Sequence, residues 1–211
     1  MIRALDILLA FSWFLFFQHV GTKWIVANIY EQMEWVSPIM LSYFVYFIFS
    51  FLIPSSYLLL RYDNYELLNK LSINMHRLRV CIVGILAVWF LFLAQKLFVI
   101  SSSIDISHFQ QTSNAFIIIV LFGPFMEELF FRGAMFEIIS KKWGNTSALF
   151  IISVISLVAH IQAISDIGSI VVFFLGSVIF TLVYIEGGLI IAFLVHLVAN
   201  WLIISNAISG N

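Results

Sequence analysis

Charge is scarce in this 211-residue sequence: 10% of its residues are Asp, Glu, Lys or Arg, and the formal net charge is -1. The few basic residues form no stripe that could track a phosphate backbone, which excludes nucleic acid as a partner. Cysteine occurs once, at Cys81. A single thiol rules out an internal disulfide and every cysteine-based metal or redox motif, and leaves Cys81 as a small packing residue. The HExxH pattern of many metallopeptidases is missing, as are internal repeats, low-complexity tracts and linkers.

What fills the sequence instead is hydrocarbon. Hydrophobic residues make up 63% of it, with 23 Phe and 6 Trp, a mixture far from that of globular proteins. The chain therefore belongs in a bilayer, and its expected fold class is all-α: a polytopic transmembrane helix bundle, one domain over 1–211. Apolar segments of about 17 to 25 residues, enough to cross roughly 30 Å of hydrocarbon, run over 4–20, 36–60, 80–100, 114–140, 146–165, 169–185 and 187–208. That reading gives about seven spans, with an eight-helix or re-entrant variant left open. Arg3 precedes the first stretch as in a signal peptide, but Asp6 interrupts it and no clear small-x-small cleavage site follows, so a retained span is expected.

Basic residues gather on the cytoplasmic side of multispanning proteins. Arg3, Arg61, Lys70, Arg77, Arg79, Lys141 and Lys142 fall on one side of the expected bundle, against Lys23 and Lys96 on the other. The N-terminus is thus expected in the cytoplasm, with the loop 61–79 as a topology anchor.

Several ionisable groups remain inside the spans, where a charge costs several kcal/mol and marks a functional candidate. The fourth span carries Glu127, Glu128 and Arg132, the fifth His160, and the seventh His196 and Asn200. At about 1.5 Å of rise per residue, Glu127, His160 and Asn200 each lie roughly 20 Å from the ends of their helices, with His196 about one turn nearer the cytoplasm. Helices far apart in sequence bring polar groups to one depth. Glu128 and Arg132, four apart, share a face and are expected to neutralise each other as a structural pair. Glu127 is turned away by about 100° and is free to meet a histidine from another helix. His196 and Asn200, also four apart, offer two hydrogen-bond donors to a developing oxyanion. Pro124 is expected to kink or loosen the fourth helix. Gly133, Gly187 and Gly188 read as packing or turn residues, and His19, His76 and His108 as surface residues near span ends or in loops.

The pattern Glu127-Glu128-x-x-x-Arg132, then His160, then His196-x-x-x-Asn200 resembles the three motifs of the CPBP family, the Abi or CAAX-protease-like intramembrane endopeptidases. The motif-bearing core covers about 114–208. Ser156 stands where the second motif commonly has Phe four residues before its histidine. The resemblance implies that Glu127 and His160 activate a water molecule, that His196 and Asn200 stabilise the tetrahedral oxyanion, and that Glu128 and Arg132 support them. It implies a peptide or membrane-protein substrate, with roles in peptide maturation or bacteriocin immunity, in the plasma membrane. No cofactor is required in this reading; zinc held by Glu127, His160 and His196 is the alternative. Two other functions use the same residues: a transporter relaying protons at the midplane, and a non-catalytic immunity or scaffold protein.

Overall fold

A backbone surrounded by lipid must satisfy its polar groups within itself, so apolar runs of this length fold as helices. In the computed structural model, which describes residues 4–29, 38–62, 71, 75–97, 121–164 and 166–209, every regular element is helical and no strand occurs among the described residues. Arg3, Lys70, His108, most of the loop 61–79 and the expected start of the fourth span at 114–120 lie outside the described residues.

Helix α1 (Ala4–Phe16) passes through a π-helical turn (Phe17–Gly21) into α2 (Thr22–Ile29). Helix α3 (Pro38–Tyr46) passes through a second π-helical stretch (Phe47–Leu52) into α4 (Ile53–Arg61), and α5 covers Met75–Leu97. Helix α6 (Gly123–Glu128) continues through a third π-helical stretch (Leu129–Phe136) into α7 (Glu137–Ala159). A 3-10 turn (Ile161–Ala163) then leads to α8 (Ile167–Gly187) and α9 (Leu189–Ser209).

Among the described residues five stretches are long and apolar enough to cross a bilayer, against about seven expected: Ala4–Ile29, Met40–Arg61, His76–Leu93, Gly123–Ala159 and Ile167–Gly187. The difference has two sources. The apolar part of α9 is shorter, Leu189–Ile203, and Gly123–Ala159 takes up the expected fourth and fifth spans in 37 residues. As one straight helix that stretch would be about 55 Å long. It cannot be straight, because Glu127 and His160 near its two ends lie 3.6 Å apart. The break is at Gly144, where φ is 79° and ψ 163°, midway in sequence between those residues and beside exposed Lys141 and Lys142.

That combination of angles is nearly confined to glycine. A Cβ at Gly144 would meet nothing within 4 Å, so Gly144→Ala tests the backbone alone. The substitution is expected to cost about 1–3 kcal/mol, read as a lower melting temperature in detergent; an unchanged melting temperature would show that the hairpin does not depend on this conformation. Gly84 is needed for another reason. A Cβ there would come within 2.8 Å of Val183 Cγ2 and 2.9 Å of Val195 Cγ2, so the missing side chain is what lets α5 lie against α8 and α9.

Aromatic packing holds the first four helices to the stretch after Glu128. The Phe14 ring meets Phe51, Phe130 and Phe131 with centroids 5.1, 5.2 and 5.7 Å away, distances at which tilted and offset ring pairs attract. Buried Asp6 accepts hydrogen bonds from the Tyr57 and Tyr62 hydroxyls, which ties α1 to α4 and explains how a carboxylate survives in the first span.

Candidate active site

Pro124 stands in the first turn of α6, where a π-helical turn at 121–122 gives way to α-helix. The looser winding expected near it lies on its N-terminal side, and α6 itself continues regularly to Glu128. The winding changes again from Leu129.

Glu127 and Glu128 leave α6 in different directions and reach different environments. Glu128 is fully buried, with its side chain at 0% exposure and that of Arg132 at 1%, while the Glu127 side chain keeps 19%. The Arg132 guanidinium donates from Nη1 to Glu128 Oε1 at 3.0 Å, and from Nη2 to the Ser177 hydroxyl at 2.9 Å and the Ser177 carbonyl at 3.2 Å. Its Nε donates to Thr181 Oγ1 at 3.4 Å. A guanidinium without water is tolerable only when its donors are matched this fully.

Glu128 has a second partner that helical spacing could not reveal. His196 Nδ1 lies 2.8 Å from the same Oε1. Because a carboxylate shared with a guanidinium is an acceptor, His196 donates Nδ1–H, and its Nε2 is left facing Glu127 Oε2 at 3.8 Å. His160 is set the same way by a different group. Its Nδ1–H donates to the Ser156 carbonyl at 2.8 Å, so its Nε2 faces Glu127 Oε2 at 3.6 Å. The Ser156 contact is made by the backbone, which means that the departure from Phe at this position leaves the ring's orientation intact.

Both imidazoles lie flat on phenylalanines of α8. His160 stacks on Phe173 with centroids 5.2 Å apart and 25° between planes, and His196 on Phe180 at 4.3 Å and 17°. Ser177 and Thr181 extend the same face of α8 to Arg132. Sequence reasoning gave no site residue to this helix. The available signal was the pair Ser177 and Thr181, two small polar residues four apart in the apolar middle of the helix.

Asn200, one turn beyond His196 on α9, is half-buried and makes no hydrogen bond with any of the described residues. Of the six candidates, Glu127, Glu128, Arg132, His160 and His196 are in direct contact or within 4 Å of one another, and Asn200 stands beside them on the same helix as His196. Among the described residues no three His, Cys, Asp or Glu side chains are grouped to hold a metal ion, the set of Glu127, His160 and His196 included. His19, expected at the surface, is partly exposed and accepts a 2.7 Å hydrogen bond at Nδ1 from the exposed Gln162 amide, two residues after His160. His76 lies exposed at a span end, 3.9 Å from Glu186.

The arrangement brings one accessible carboxylate between two oriented imidazole nitrogens, backed by a buried carboxylate and guanidinium. Such a constellation can move protons to and from a small reactant at the Glu127 oxygen. Residues 109–202, which include all six candidates, match the model of a protein family described as Rce1-like, type II CAAX prenyl endopeptidase Rce1-like. No curated protein and no solved structure matches the chain.

Proposed function

We propose, from the match of residues 109–202 to the model of this Rce1-like family, that the protein is an intramembrane endopeptidase in which Glu127 activates the hydrolytic water. The observation that carries the reading is the position of Glu127 Oε2, 3.6 Å from His160 Nε2 and 3.8 Å from His196 Nε2.

Two acceptors facing each other at this separation call for a shared donor. With His160 Nδ1–H committed to Ser156, the Nε2 lone pair and the Glu127 carboxylate suit the two hydrogens of one water molecule. Glu127 takes a proton from that water as its oxygen attacks the peptide carbonyl carbon. The carbonyl oxygen becomes an oxyanion, for which the Asn200 amide and a protonated His196 Nε2 are the donors. The proton held by Glu127 then passes to the departing amine nitrogen as the C–N bond breaks, leaving a carboxylic acid and an amine. Glu128 supports the part given to His196, because a carboxylate on Nδ1–H fixes the orientation of the ring.

The family implies a peptide or protein substrate in the membrane. The likeness to CPBP proteins extends the proposal to peptide maturation or bacteriocin self-immunity at the plasma membrane. No step above needs a metal ion. The test compares membrane and secreted peptides from cells carrying the native protein or Glu127→Ala, at equal protein levels. At least one peptide should be shortened only by the native protein, and cleavage of that peptide by the purified protein should survive chelation. Identical peptide profiles would end the protease reading. Activity lost to a chelator and restored by zinc would end its metal-free form.

A further inference from the structure

Helix α7 ends at buried Ala159. The last carbonyls of a helix have no partner within it and must find one elsewhere. The backbone amide of His160 donates to the carbonyls of Ser156 at 3.2 Å and Leu157 at 3.1 Å, and the His160 ring donates to Ser156 as well. The Ala159 carbonyl is matched from outside the hairpin: Gln18 Nε2 donates to it at 2.6 Å. Gln18 lies in the π-helical turn Phe17–Gly21 of the first span, far from the matched segment 109–202. Such turns recur at functional sites, where they bulge a side chain out of its helical row.

A carbonyl can only accept, so the amide nitrogen of Gln18 faces Ala159 and its Oε1 faces away, buried and with no partner among the described residues.

We infer that Gln18 is a positioning residue for His160: it holds the end of α7 through the Ala159 carbonyl, next to a side-chain hydrogen bond from Gln162 to His19 that joins the same two segments. The inference rests on the protease reading for its effect on rate, but not for its effect on the position of His160.

Gln18→Met keeps the length of the side chain and removes its donor. In a cleavage assay on a peptide identified as above, kcat of the folded protein should fall about tenfold or more, with KM unchanged and the melting temperature lowered by the lost Ala159 contact. A residue that only joined two helices would lower the melting temperature and leave kcat alone. In a His160→Ala background the same substitution should have no further effect on residual turnover, since the group it positions is gone. Unchanged kcat, or a loss that multiplies fully with that of His160→Ala, would overturn the inference. A second measurement works even for a protein that cleaves nothing, an outcome that would fell the protease reading alone. Acylation of His160 by diethyl pyrocarbonate, followed by mass spectrometry, should quicken several-fold in Gln18→Met as the helix end loosens, and an unchanged rate would refute the positioning role.

Discussion

Glu127→Gln should lower kcat about 10²- to 10⁴-fold, the usual contribution of a positioned general base, while the protein inserts and melts like the native one. The amide has the size of the carboxylate but cannot take a proton from water. Glu127 has little part in holding the fold: its side chain keeps 19% exposure and the imidazole nitrogens facing it stand 3.6 and 3.8 Å away, beyond hydrogen-bond length. The loss should therefore appear in turnover and not in abundance. His160→Ala should show a loss of the same order, and the two together little more than either alone, because both act on one water. Single-turnover cleavage by purified protein measures all three. Turnover by Glu127→Gln equal to native would remove Glu127 from the mechanism, whatever the family.

The neighbouring glutamate should behave in the opposite way. Glu128→Ala strips the carboxylate from a guanidinium that is 1% exposed, and uncovering one half of a buried ion pair costs about 3–5 kcal/mol. Poor accumulation or a markedly lower melting temperature is the expected result. The double variant Glu128→Leu, Arg132→Met removes both charges and should recover most of that loss, since apolar replacements of similar volume often serve a buried pair as well. It should nevertheless stay inactive, because His196 has lost the carboxylate 2.8 Å from its Nδ1. Recovery of activity along with stability would mean that Glu128 serves the fold alone.

The contrast between these two residues also marks what the sequence could and could not disclose. Charges in apolar helices are visible to any reading of hydropathy, and their common depth follows from counting residues at a fixed rise. Helical spacing shows that Glu128 and Arg132 meet and that Glu127 turns elsewhere. It carries no information about a partner on another helix. The contact of Glu128 with His196, the stacking of both imidazoles on α8 and the reach of Gln18 to Ala159 depend on how helices pack, which periodicity within one helix does not encode. The π-helical stretches had no marker either, since their residues are ordinary apolar and aromatic ones. The count of spans differs in part because the chain reverses at Gly144 without leaving its helical run: the two arms of Gly123–Ala159 are the segments expected as the fourth and fifth spans, which form one continuous stretch.

That reversal at Gly144 makes the two arms of the hairpin a matched pair of rulers. Glu127 and His160 meet because nearly equal lengths of helix are measured out on either side of the glycine. Adding or deleting one residue in either arm would displace the imidazole by about 1.5 Å along the axis and swing it by about 100°. The segment between the two catalytic candidates is thus far less tolerant of changes in length than of changes in composition, even where its residues face lipid and touch nothing in the site.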